Sequence, residues 1–418
     1  MQKSKFKIKV KGDKVIWMVF LLLIIISAME VYSTIGKTVY ERQGGSPIMM
    51  FAKHIFILFL GTCVMYAVHH IKYTYFSRFA KIGLFVSFIL LILTLILGSF
   101  GDKAAARWLT IPLIGQFQPS EIVKIILIIY VARVLALYQD NIKSMEVFKK
   151  LMIPICLICM LIFPENFSTA TILFLICFFM MYIGRINNRY LISIVIIGII
   201  AVISIFALLK ANPDLLSRGG TWVNRIEEYI SDDKTAITQS NQAEMAIATG
   251  GFFGKFLGHT TQARFLSESH NDFIYAIIIE EGGMLLGIVI IALYLILLYR
   301  GIQVARRSKG YFGAFCAIGL IIMIVFQAMI NMFVATGITP VTGQTLPFVS
   351  YGGTSFLFSC IALGIVLSIS ASANKDQAKE KLEKDITEED SVDLTSEENK
   401  SKEENQSENN FETKEQNN

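Results

Sequence analysis

The chain has 418 residues, 54% of them hydrophobic and 17% charged. A soluble protein of this size carries nearer a quarter charged residues, so a soluble enzyme, a secreted disulfide scaffold and a nucleic-acid binder are excluded. The charge is also segregated. Residues 374–418 hold 7 Lys against 15 Asp and Glu, a net of −8, while the rest of the chain carries +13.

Six lysines from Lys3 to Lys14 precede an apolar run from Val15 to about Ile35. The run is too long for a signal-peptide core and lacks a small-residue cleavage site, so it reads as a retained first span. Further runs of membrane length follow at about 48–68, 79–98, 120–138, 190–209, 273–299, 312–336 and 349–371. The stretch 149–184 is too long for one crossing and is interrupted by Pro164, Glu165 and Asn166. Unpaired backbone at such a break cannot lie in hydrocarbon, so two short spans joined by a tight turn are expected there. The sequence therefore predicts an all-α polytopic membrane protein with ten transmembrane helices.

Loop charge orients it. With the N-terminus inside, the inner short segments hold eighteen Lys and Arg and the outer ones four. This bias places both termini in the cytoplasm and leaves one large extracytoplasmic loop, about 210–272, between helices 7 and 8. The expected organisation is a basic cytoplasmic N-terminus (1–14), a membrane domain (15–372) and a disordered acidic cytoplasmic tail (373–418).

All six cysteines lie in apolar runs. Cys156 and Cys159 form a C-x-x-C, but without a nearby His or a second pair it resembles neither a zinc nor a redox site. The Gly250-Gly251-Phe252-Phe253-Gly254-Lys255 stretch lacks the Ser/Thr that follows Lys in a phosphate-binding loop.

Ionisable groups inside a span are costly and mark candidate sites. Pro119 suits a first helical position and Glu121 the first turn. Lys124 lies one turn further on the same face, where it pairs with Glu121 or faces a polar cavity. Arg107 and Trp108 read as an interfacial anchor or as part of a site for a lipid-linked pyrophosphate. In the outer loop, Arg225 and the stretch Phe265 to Phe273, which includes His270, stand out. Asp272 falls at the mouth of the next span, where it is either the helix N-cap or a general base. Glu280 and Glu281 sit two turns into that span, pointing about 100° apart, so at most one shares a given polar seam. The following Gly282-Gly283 suits close helix packing. Gln327 and Asn331, at i,i+4 spacing, read as interhelical glue. The Gly/Pro-rich stretch 337–353, with Ser350, reads as an ordered turn at the cavity rim. These residues by themselves fit a transporter or an enzyme acting on a lipid-linked substrate.

Taken together, Ala106-Arg107-Trp108, Gln118-Pro119-Ser120-Glu121 with Lys124, Gln242 to Gly254, Phe265 to Glu281, and Gln327 to Ser355 resemble the SEDS family (shape, elongation, division and sporulation) of peptidoglycan polymerases. The likeness spans about residues 14–372. The opening Lys11 to Trp17 and the long tail resemble division members more than elongation members. The chain departs from the family pattern at Ser267, where Pro is usual, and at Pro164 to Thr169, where the family has Pro-Asp-Leu-Gly-Thr. Glu165 is therefore not given the role of the family Asp.

The resemblance implies a glycosyltransferase that polymerises lipid II, the undecaprenyl-pyrophosphate-linked disaccharide peptide, at the outer face of the bacterial cytoplasmic (inner) membrane. Asp272 would be the catalytic base. Arg107, Lys124 and Arg225 are the candidates for binding pyrophosphate. Glu121, His270, Glu280, Glu281, Gln327, Asn331 and Ser350 would support the polar cavity. A divalent cation (Mg or Mn) could share the pyrophosphate charge, although no ligand cluster marks a metal site. Expected partners are a class B penicillin-binding protein transpeptidase, other divisome proteins at the septum and membrane lipids, with no nucleic acid. The alternatives are a lipid II flippase and an elongation-type polymerase.

Overall fold

The computed structural model describes residues 11–42, 47–99, 109–111, 115–211, 239–266, 271–375 and 377, with scattered positions from 220 to 229. The described residues up to Ala371 form one compact unit. The described part is helical apart from one short hairpin. In chain order the elements are α1 (Lys14–Arg42), α2 (Pro47–His70), α3 (Tyr73–Ser99), β1 (Leu109–Ile111), β2 (Gly115–Phe117), α4 (Pro119–Leu137), α5 (Met145–Ile162), α6 (Phe167–Ile183) and α7 (Asn188–Ala211). After them come α8 (Gln239–Gly250), α9 (Ile274–Arg307), α10 (Tyr311–Ala335) and α11 (Gly353–Lys375). The antiparallel hairpin pairs Thr110 with Gln116 and was not expected from the apolar pattern.

Seven of these helices, α1, α2, α3, α7, α9, α10 and α11, are long and apolar enough to cross a membrane. Helices α4, α5 and α6 are shorter, at 19, 18 and 17 residues. The expected split of 149–184 is present. Helix α5 ends at Ile162, and α6 begins after Asn166, whose side chain accepts a hydrogen bond from Thr169 N at 3.1 Å. That N-cap supplies an acceptor for an otherwise orphaned amide.

The start of α1 is fixed in the same way. Asp13 Oδ1 accepts from Val15 N at 2.8 Å and from Arg300 Nε at 3.2 Å, which ties α1 to the far end of α9. The core lies where α4, α9, α10 and α11 meet, and α10 and α11 are mostly buried. By contrast, α7 presents nearly all of its β-branched surface outward. A protein in lipid has no reason to hide such a surface.

Helix α9 is two helices joined at Gly283, whose φ of 72° and ψ of 177° are not helical. The backbone opened there is satisfied by the glycine-rich segment after α8. Met284 N donates to Gly251 O, Lys255 N to Glu280 O and Phe256 N to Glu281 O, each at 2.9 Å. The two backbones touch. A Cβ on Gly250 would lie 2.1 Å from Ile279 O, and one on Gly254 would lie 2.1 Å from Glu281 O. The glycines that resemble a phosphate loop therefore plug a broken membrane helix. The expectation that Gly282-Gly283 permits helix–helix packing is corrected, since Gly283 meets the backbone of Phe252 and Phe253 rather than another helix.

Candidate functional site

The first turns of α4 hold the most buried ion pair among the described residues. Pro119 takes the first helical position, where its missing N–H costs nothing. Lys124 Nζ then lies 2.9 Å from Glu121 Oε1, with side-chain exposures of 3% and 9%. Lys124 also donates to Gln327 Oε1 of α10 at 3.4 Å. Ser355 Oγ of α11 donates to Glu121 Oε2 at 3.5 Å. The pair is internally neutral, so an incoming anion must compete with Glu121 for Lys124.

From Gln327 the polar path runs into the segment between α10 and α11. Gln327 Nε2 donates to Thr345 O at 3.3 Å. One turn on, Asn331 Nδ2 donates to Gln344 O at 2.7 Å and to Asp272 O at 2.8 Å. Gln344 Nε2 reaches Thr169 Oγ1 of α6 at 2.9 Å. Ser350 Oγ accepts from Leu346 N and donates to Asn271 O, both at 2.7 Å. The two amides expected as interhelical glue thus hold the backbone of a loop; that loop holds Asn271, and Asn331 itself holds Asp272.

Asp272 is not the N-cap of α9. That position falls to Phe273, without a side-chain cap bond. The Asp272 carboxylate instead faces Gly343, where a Cβ would lie 3.7 Å from Oδ2. Polar contacts lead from Lys124 through Gln327 to Thr345, and from the adjacent Gln344 through Asn331 to the main-chain carbonyl of Asp272.

The loop itself contains a strained residue. Phe348, 1% exposed, has a φ of 67°, the left-handed region that costs a β-carbon residue about 1–2 kcal/mol. Such a conformation persists only where the surroundings over-determine it. Phe20 and Phe356 contact its ring edge-on, at centroid distances of 5.4 and 6.2 Å. Tyr294 Oη donates to Pro347 O on one side, and Ser27 Oγ donates to Val349 O at 2.7 Å on the other.

The remaining candidates lie elsewhere. Arg225 Nη1 donates to Val341 O at 3.0 Å, and Tyr229 Oη to Ile338 O at 2.7 Å, so this stretch lies over the loop after α10. Trp222 packs on Phe163 and Phe167, with ring centroids 5.3 and 5.4 Å away. Glu280 and Glu281 are both buried, and the partners that hold them lie outside the Asp272 seam. Glu280 Oε1 accepts from Lys255 Nζ at 2.9 Å and from Thr261 N at 2.8 Å, and Thr260 Oγ1 donates to its Oε2. Glu281 accepts from Ser33 of α1 and from Gly258 N. The two directions separated by 100° are each supplied with donors. Arg107 and His270 lie outside the described residues. Among the described residues, no three His, Cys, Asp or Glu side chains converge to hold a metal ion.

Sequence reasoning missed Gln344, Thr169, Tyr294 and Ser27. Gln344 had a usable signal, being an amide among Gly and Pro next to the apolar start of α11. A lone Ser or Thr in a span carries none.

The family model FtsW/RodA/SpoVE, described as "Cell cycle protein", matches residues 13–375. Stage V sporulation protein E of Bacillus subtilis is 31% identical over 376 residues, covering 87% of this chain and 98% of its own. A relative from Trichlorobacter lovleyi named "Probable peptidoglycan glycosyltransferase FtsW" is 36% identical over 306 residues, covering 72% and 78%. Among solved structures, a chain from "a peptidoglycan synthase complex" that coordinates polymerization and crosslinking superposes with a TM-score of 0.68 at 20% identity, covering 86% of this chain and 97% of that one. The rod shape determining protein RodA of Thermus thermophilus gives 0.61 at 21% identity, covering 86% and 96%.

Proposed function

As a member of the FtsW, RodA and SpoVE family the chain is a peptidoglycan glycosyltransferase, and we propose that it polymerises lipid II at the outer face of the cytoplasmic membrane with Asp272 as the base. Asp272 takes the proton of the acceptor sugar's 4-hydroxyl. The freed oxygen attacks the anomeric carbon of the donor chain, the new glycosidic bond forms, and the bond from that carbon to undecaprenyl pyrophosphate breaks. Negative charge grows on the leaving pyrophosphate, where fixed positive groups lower the barrier most. Lys124 is the buried cation on the path to Asp272, with Arg225 at the rim and Arg107 as the third candidate. The observation that carries this reading is the placement of Asp272. Its main-chain carbonyl is clamped by Asn331, and through the segment Gln344–Thr345 and Gln327 that clamp is connected to Lys124.

The test is glycan-strand formation from purified lipid II. Asp272→Asn inserts and binds its partner normally and makes no strands, and a wild-type rate in that variant overturns the assignment. A divalent cation remains a proposal, and no step above is routed through one. Chelation followed by metal add-back in the same assay decides it.

We further propose ten spans, with α4, α5 and α6 completing the seven long ones, and cytoplasmic termini. The support is the inner-side Lys and Arg bias and the N-capped turn between α5 and α6. Cysteine labelling from each side of the membrane tests the arrangement. For the partner we propose a class B penicillin-binding protein within the divisome, and for the role septal synthesis. The family's description as a cell cycle protein supports the role, and the similar chain from a synthase complex that coordinates polymerization and crosslinking supports a crosslinking partner. Depletion that gives filaments rather than rounded cells distinguishes division from elongation.

A further inference from the structure

His54 is a buried histidine, 2% exposed, in the second turn of α2, and the chemistry above does not use it. Its Nε2 lies 3.0 Å from Ser27 Oγ of α1. Ser27 has one hydroxyl proton. That proton goes to Val349 O, because a carbonyl can only accept. The Ser27 oxygen is then left as an acceptor, so the hydrogen to fill the 3.0 Å contact comes from His54, as an Nε2–H. The His54 ring also lies 5.3 Å from that of Tyr351. Ser27 of α1, met by His54 of α2, thus holds one carbonyl of the loop whose Ser350 binds Asn271.

That carbonyl matters because of its neighbours. Val349 follows the left-handed Phe348 and precedes Ser350, whose hydroxyl holds Asn271 O. On the other side of Phe348, Tyr294 holds Pro347 O. A strained residue needs clamps on both flanks, and Ser27 supplies the one that leads directly to Asn271 and Asp272. We propose that His54, acting through Ser27, is a positioning residue for the polymerisation base. It donates from Nε2 to orient the Ser27 hydroxyl, and this relay fixes Val349 and Ser350 so that Asp272 is held ready for the acceptor hydroxyl. The inference rests on the reading of Asp272 as the base.

The test measures strand formation from lipid II across a range of substrate concentrations, using the full chain in complex with its transpeptidase partner. Ser27→Ala and His54→Phe each lower kcat about tenfold, as expected for a base displaced from its productive geometry, with KM and partner binding unchanged. His54→Gln, which keeps a donor near the Nε2 position, restores most of kcat. The double variant Ser27→Ala/His54→Phe falls no further than either single variant, because both break one relay. The proposal is overturned if the single variants retain wild-type kcat, if His54→Gln is as impaired as His54→Phe, or if the double loss is the product of the single ones. Asp272→Asn is run alongside. Should it polymerise normally, the reading of the base fails. Should it be inactive while Ser27→Ala is unaffected, only the positioning role fails.

Discussion

Lys124 Nζ stands 2.9 Å from Glu121 Oε1, one helical turn away, and both side chains are almost wholly buried. Removing one partner strands the other charge in a low-dielectric site, which costs about 3–5 kcal/mol. Glu121→Gln is therefore expected to lower the thermal midpoint of the detergent-solubilised protein. The double variant Glu121→Gln/Lys124→Met recovers the midpoint, since an apolar pair needs no compensation, yet stays inactive because the cation on the path to Asp272 is gone. Recovery of strand synthesis in the double variant would remove Lys124 from the chemistry.

Asn331 holds two carbonyls with one amide group, those of Gln344 and Asp272. In Asn331→Leu both bonds are lost and two buried carbonyls lose a donor, at a cost of about 1–3 kcal/mol in stability. The larger effect is expected in turnover, because the segment bearing Asp272 is released. Thermal unfolding and the polymerisation rate, measured on the same preparation, separate the two. Equal effects on both would reduce Asn331 to a packing residue.

The glycines packed at the break in α9 should differ sharply from each other and from Gly310 at the start of α10. At Gly254, with a φ of 77°, a methyl group would sit 2.1 Å from a backbone oxygen. At Gly251, with a φ of 59°, it would meet open space. At Gly310 it would also meet open space, with an extended backbone. The expected order of alanine variants by folded yield is Gly310 near wild type, Gly251 lowered by about 1 kcal/mol of left-handed strain, and Gly254 lowest. A uniform response would argue against backbone contact at this junction.

Asp13 serves two groups at once, the first amides of α1 and the Arg300 guanidinium. Asp13→Asn keeps a cap acceptor but loses the charge, whereas Asp13→Ala loses both. A cap is worth about 1 kcal/mol, so Asp13→Ala should unfold at the lower temperature of the two. If the two variants melt together, the cap contributes nothing here and the ion pair carries the whole effect.

What could be read from the chain alone was whatever depends on neighbours three or four residues apart or on the length of an apolar run. The break between α5 and α6 announces itself because Pro164, Glu165 and Asn166 cannot lie in hydrocarbon. The Glu121–Lys124 pair announces itself because i,i+3 side chains share a helix face. The tertiary structure decided the rest. Local sequence offers two uses for Asp272, and the folded chain starts α9 one residue later, with Phe273 at the N-cap position. Its clamp comes from Asn331, 59 residues away, and the serine beneath the loop from Ser27, 322 residues from Val349. The sequence sets the glutamates at 280–281 about 100° apart, so that at most one shares a given polar seam. The break at Gly283 brings in a second backbone and, with it, donors on two sides. Composition and period fix what is apolar enough to span the membrane, whereas the polar groups within it are settled by partners that only the folded chain brings within 3 Å.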